Sequence, residues 1–146
     1  MKIRLMWVGK TKERFIDEGI RKYTALLKPY ADVSIAEIKE EKGKDIQKVR
    51  EKEGKRIMKS GTPYVLLDEK GQCLTSVQFA DFLRRRPGDI TFLLGGPYGV
   101  SEEVKGAAKE TIALSKMTLT HEMSRLLLLE QLFRACTIIH KRGYHH

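Results

Sequence analysis

The chain predicts an α/β fold organised on a parallel sheet, and three observations carry that expectation. Apolar alternation and helical apolar spacing follow one another in turn, giving the order β-α-β-α-β-α-β-α-β-α. The run Ile90 to Leu94 is apolar but for Thr91, the mark of a strand covered on both faces of a parallel sheet. No internal repeat and no long linker interrupts the 146 residues, so a single domain over residues 1–146 is expected, built as an α/β sandwich.

Ile3, Leu5 and Trp7 alternate, with Met6 and Val8 around them, and predict a first strand of about six residues. Phe15, Ile16, Ile20, Tyr23, Leu26 and Leu27 then recur at helical spacing until Pro29 stops the helix. Val33, Ile35 and Ile38 mark the second strand. Beyond the charged loop "KEEKGK", Ile46, Val49 and Ile57 form a thin apolar stripe on a helix from Asp45 to Lys59. Tyr64 to Leu67 is the third strand, with "DEKGQ" as the turn after it. Thr75 and Gln78 have capping-box spacing and open a helix whose apolar side is Val77, Phe79, Phe82 and Leu83, closed by "RRRPG". After the buried run, Ser101 caps a short helix. Ile112 and Leu114 begin an extended segment ending near Leu119, and His121 to Lys141 is a long helix with Gly143 just past its end.

The chain carries 28 Lys+Arg against 19 Asp+Glu, a formal charge of +9 that favours a polyanionic partner. Cys73 and Cys136 form no C-x-x-C pair and have no histidine at ligand spacing, so they are read as reduced structural thiols and no metal is expected. The apolar run in "MKIRLMWVGK" is too short for a signal peptide, and Leu126 to Leu129 is too short to span a bilayer; a cytoplasmic protein is expected.

In an open parallel sheet, ligands sit beyond the carboxyl ends of the strands, which makes the loops after Leu67, after Leu94 and after Ile112–Leu119 the walls of a site. Gly95, Gly96 and Gly99 match neither the dinucleotide G-x-G-x-x-G spacing nor a P-loop. Glu102 and Glu103 in the next helical turn answer the helix dipole themselves and repel a phosphate, so a neutral or cationic ligand fits better. Ser115, Thr118 and Thr120 offer hydroxyl contacts to such a ligand, although ordinary edge-strand residues look the same. Leu126 to Leu129 are apolar on every side of their helix, which calls for cover from the core and from a second copy of the chain. Glu130 and Arg134 are spaced for an intrahelical pair, while Arg125 is expected to be freer to meet RNA. His121 reads as a capping or packing residue and His140 as a solvated one.

Taken together, "LLGGPYGV", "LSKMTLTHEMSRLLLLEQLFRA" and a chain end in "YH" resemble one family, the small bacterial SPOUT methyltransferases that methylate pseudouridine in 23S ribosomal RNA. The resemblance runs over the whole chain, including "VGKTKE" near its start. It implies transfer of a methyl group from S-adenosylmethionine to N3 of a pseudouridine in a hairpin loop of that RNA. Its cofactor pocket maps onto Leu67, Gly95, Ser115, Lys116, Met117, Thr118, Leu119 and Thr120. It further implies a trefoil knot in the C-terminal half and a homodimer whose active site lies between subunits. Tyr144 and His145 fall on the family's tail motif as catalytic residues, with Arg125, Glu130 and Arg134 as helpers; His146 stands where the family has another basic residue. Histidine is suited to take the imide proton and arginine to stabilise the anion. The competing reading is a basic RNA-binding module of the same fold without catalysis.

Overall fold

The computed structural model describes all 146 residues. The elements are β1 (Lys2–Val8), α1 (Arg14–Leu27), β2 (Asp32–Ile38), α2 (Ile46–Met58), β3 (Val65–Cys73), α3 (Ser76–Arg84), β4 (Ile90–Leu94), α4 (Glu102–Ala107), β5 (Glu110–Ala113) and α5 (His121–Ile139). All strand pairs are parallel, in the order β2-β1-β4-β3-β5. β1 and β4 lie side by side in the interior of the sheet, and β4 is buried at all five positions, Thr91 included, as its apolar run predicts.

Alternation along β1 divides the core between the two faces of the sheet. Ile3, Leu5 and Trp7 join the larger cluster with residues of α1, α3 and α5, whereas Met6 and Val8 join the smaller one with Ile57 of α2 and Val104 of α4. The helices thus cover both faces. Local chemistry sets their starts: Asp45, Thr75, Ser101 and Thr120 each accept a backbone N–H of the following turn, and Thr75 with Gln78 completes the capping box.

Three boundaries differ from the sequence expectation. "DEKGQ" is part of β3, which pairs with β5 on either side of a register break between Leu67 and Gln72. The cause is Gly71, where a Cβ would stand 2.7 Å from the backbone carbon of Thr111; glycine lets the two chains approach across the bulge. β5 stops at Ala113, and residues 114–120 form a loop rather than a strand running to Leu119. Ser115 Oγ accepts from Met117 N at 2.9 Å, and Thr118 Oγ1 donates to Glu69 at 2.8 Å, turning that loop away from a ladder. At the end of α5 the left-handed residue is Lys141, with φ of 54°, and not Gly143. Arg142 N donates to Thr137 O and Lys141 N to Ile138 O, the pair of bonds that closes a Schellman motif.

Candidate cofactor cleft and tail cluster

The carboxyl ends of β3 and β4, the 114–120 loop and the start of α5 enclose a cleft of about 370 Å³. Six of its walls' residues are Leu67, Gly95, Ser115, Met117, Thr118 and Leu119, which the sequence also marks; Lys116 and Thr120 lie outside the lining. Thr120 instead caps α5, accepting from Met123 N at 3.1 Å. His121 and Ser124 at the first turns of α5 complete that wall.

The glycine turn is shaped by close approach. Gly99 N donates to Gly96 O at 3.0 Å, with Pro97 and Tyr98 between them and Gly99 itself at φ of 78°. At Gly95 the constraint is space and not a positive φ, since a Cβ there would meet Val100 Cγ1 at 2.9 Å. Behind the turn, Gly54 of α2 faces Ser101, whose Oγ would lie 2.6 Å from an added Cβ. Glu53 beside it is buried, its carboxylate accepts from Glu41 N at 3.0 Å, and burial pushes its pKa up.

Ser101 caps α4 by accepting from Val104 N, and Glu102 and Glu103 stand exposed in its first turn. The helix start is therefore capped and acidic, which disfavours a phosphate. Asp68 and Glu69 bring carboxylates to the β3 wall, while Arg50 from α2 and Lys105 from α4 bring cations to the opposite side. Sequence spacing gave no sign of these four, because they come from three separate elements.

Arg125 departs from the sequence expectation. It is fully buried, donating to Val8 O at 2.7 Å and to Thr11 Oγ1 at 2.9 Å, with its guanidinium 4.9 Å from the centre of the Trp7 ring. It ties α5 to the end of β1 and is not available to RNA. Glu122, one residue after the start of α5, accepts from Lys12 N and Glu13 N and so caps the start of α1, whose cap residue Glu13 makes no side-chain cap of its own. Burial opposes ionisation of Glu122, but those two N–H groups and Arg125 outweigh it and hold its pKa below the usual glutamate range.

Tyr144 and His145 do come together with Glu130 and Arg134. Tyr144 OH donates to Glu130 Oε1 at 3.1 Å, its ring meets Phe133 edge-on at 4.7 Å, and Arg134 lies 4.8 Å from the ring centre. Arg134 also bonds Glu130 at 2.5 Å and His145 Nδ1 at 3.1 Å. A guanidinium only donates, so Nδ1 is the acceptor and the neutral ring carries its proton on Nε2. Burial, with bonding to Tyr23 and Glu130, pushes the Tyr144 phenol up to about 12. The tail is thus a docked element. Ser124 in the cleft wall and Arg134 in the tail cluster are ten residues apart on one helix, about 15 Å at 1.5 Å per residue.

A parallel α/β sheet with a cleft at one edge, walled by a tight glycine turn and by the carboxylates of β3, defines a ligand-binding α/β protein without a phosphate cradle. The model described as "Predicted SPOUT methyltransferase" matches residues 1–145, and the chain belongs to that family. A relative from Thermodesulfovibrio yellowstonii named ribosomal RNA large subunit methyltransferase H is 48% identical over 147 residues, covering 99% of each chain. Among solved structures, a probable methylase family protein from Haemophilus influenzae Rd KW20 aligns with a TM-score of 0.58 at 10% identity, over 99% of this chain and 70% of that one. The SpoU methyltransferase AviRb from Streptomyces viridochromogenes, in complex with the cofactor AdoMet, aligns with a TM-score of 0.50 at 17% identity, over 96% of this chain and 58% of that one. At these identities the two structures speak for the fold.

Proposed function

We infer that the chain methylates large-subunit ribosomal RNA with S-adenosylmethionine as donor, and that its target is N3 of a pseudouridine in a hairpin loop of 23S RNA. The observation that carries the reading is the cleft itself. Its glycine turn leaves no room for a Cβ at Gly95, its β3 wall bears Asp68 and Glu69, and its neighbouring helix start is acidic, a setting suited to a sulfonium rather than a phosphate. Leu67, Gly95 and the 115–119 segment would hold the cofactor, which supplies an electrophilic methyl group when bound.

The target nitrogen is a protonated imide at neutral pH, so its proton must leave and the resulting charge must be stabilised. Arg134, held by Glu130 beside Tyr144, is the arginine placed to stabilise that charge, since Arg125 is sealed in the core. His145 can take a proton at Nδ1 once Arg134 turns from it to the base. Tyr144 orients the base. The reacting edge is the pairing edge, so the base enters unpaired.

The separation of cleft and tail along α5 supports a homodimer in which the tail of one subunit serves the cleft of the other. Leu126 and Leu127 are only half-buried, and Phe15 on α1 is 59% exposed, leaving an apolar face for the second copy. The trefoil knot in the C-terminal half, in which the last helix threads a loop, belongs to the same reading. The test is incorporation of tritiated methyl from S-adenosylmethionine into ribosomes and large ribosomal subunits lacking the modification, followed by nucleoside mapping. Label on 3-methylpseudouridine is expected; cofactor binding without transfer would leave the non-catalytic RNA-binding module.

A further inference from the structure

Two side chains at the mouth of the cleft are unexplained by cofactor binding. Tyr98, at the tip of the glycine turn, is 50% exposed, although a tyrosine ring is costly to leave in water. Its position is nevertheless held: Arg50 Nε donates to Tyr98 O at 2.6 Å, which ties the turn to α2. Arg50, like Arg4 and Arg142 and the buried Arg125, makes no ion pair, whereas Arg14, Arg21, Arg56, Arg84, Arg85, Arg86 and Arg134 are all matched to carboxylates. Its terminal nitrogens thus remain free, next to the backbone of the turn that carries the exposed ring. Both residues line the cleft, with Lys105 on the same side and the carboxylates on the β3 wall.

The geometry points to a nucleotide subsite in which the Tyr98 ring stacks on an unpaired base of the substrate RNA while the Arg50 guanidinium takes the adjoining phosphate. Every base offers a π face, so an aromatic platform beside a free cation binds single-stranded RNA, and that pairing is absent from a site built for a small cofactor alone. The proposal rests on the RNA-methylating reading, which supplies the polyanion. Arg50 has two tasks here: its Nε holds the turn in place, and its remaining N–H groups meet the substrate.

The subsite is tested with Tyr98→Ala, Tyr98→Phe and Arg50→Gln in the full chain. Methyl transfer is measured against the concentration of unmodified large subunits, and direct binding against a fluorescently labelled single-stranded oligoribonucleotide. Loss of one stacked base is expected to raise KM and the oligonucleotide Kd about tenfold for Tyr98→Ala, with a smaller effect on kcat. Tyr98→Phe, which keeps the π face, is expected to bind within about twofold of wild type. Arg50→Gln should lower the slope of log Kd against log salt by about one, the mark of one lost phosphate contact. Calorimetry with S-adenosylhomocysteine should show cofactor affinity retained in both Tyr98 variants. An unchanged KM and Kd in Tyr98→Ala would overturn the subsite while leaving the methyltransferase reading intact, and a loss of cofactor affinity without a change in RNA binding would assign the ring to the cofactor instead. Absence of methyl transfer by the wild type would sink the broader reading, and the oligonucleotide arm would still decide the subsite.

Discussion

Gly95 and Glu122 each show how one residue controls a site through what it excludes or receives. A side chain at Gly95 would stand 2.9 Å from Val100 Cγ1 and 3.1 Å from the Gly99 backbone, so the turn cannot hold its shape around a branched residue. Gly95→Val is expected to abolish binding of S-adenosylmethionine in calorimetry while the circular dichroism of the fold persists. Glu122 works by receiving: its lowered pKa means that the folded state prefers the carboxylate. Glu122→Gln keeps one acceptor for Lys12 and Glu13 but removes the charge facing Arg125, and it should cost about 1–2 kcal/mol at neutral pH. Because the folded pKa lies below 4.5, that difference is fully present above pH 4.5 and fades as the pH falls through the folded value. Urea melts of both proteins from pH 7 to pH 3 measure it; a difference independent of pH would contradict the carboxylate's role.

Among the elements, α5 does the most varied work. Its first turn walls the cleft and anchors α1, its middle fills the core with Leu128, Leu129, Leu132 and Ala135, and its last turns carry the tail cluster. Gly19 lets α1 approach it, since a Cβ there would come within 2.6 Å of Leu126 Cδ1. Leu127 faces neither core cluster and is half-buried, which makes it the sound choice for testing self-association. Leu127→Asp should give a folded monomer by light scattering, with methyl transfer lost and cofactor binding kept; a fully active monomer would remove the shared-site proposal. At the other end of α5, Lys141 holds a left-handed conformation that glycine adopts without strain. Lys141→Gly should therefore raise stability by about 0.5–1 kcal/mol in denaturant melts.

For the whole molecule, the tail separates chemistry from cofactor binding. Removing Tyr144 to His146 uncovers one edge of Phe133 and leaves the cleft untouched, so stability should fall by about 1 kcal/mol and cofactor affinity should hold. Methyl transfer is expected to fall by orders of magnitude. His145→Ala should lower turnover more than RNA affinity, which depends on phosphate contacts spread over a surface of net charge +9 and weakens as salt rises. If His145 takes the imide proton, raising the pH should partly restore the Ala variant, because more of the imide is then ionised. A truncated enzyme working at the wild-type rate would move the proton acceptor elsewhere.

Apolar periodicity and capping residues were enough to determine the order of the ten elements, the buried β4 run and the starts of α2, α3, α4 and α5, because each depends on contacts within a few residues. The glycine turn was likewise legible as a cleft wall, since ligands gather at the carboxyl edge of a parallel sheet, whereas 115–119 read as strand and came to the site as a whole segment only through the family resemblance. The course of β3 through "DEKGQ" was not, because Gly71 there answers to the backbone of β5 and not to its own neighbours. Nor was the burial of Arg125, which reads as a surface charge until the fold brings Val8 and Thr11, more than 100 positions away in sequence, to its guanidinium. Tertiary structure alone placed Arg50 and Lys105 at the cleft and drew Tyr144 and His145 back onto Glu130 and Arg134. A periodic pattern records which face of an element is dry, whereas the pairing of polar groups is decided by which elements meet.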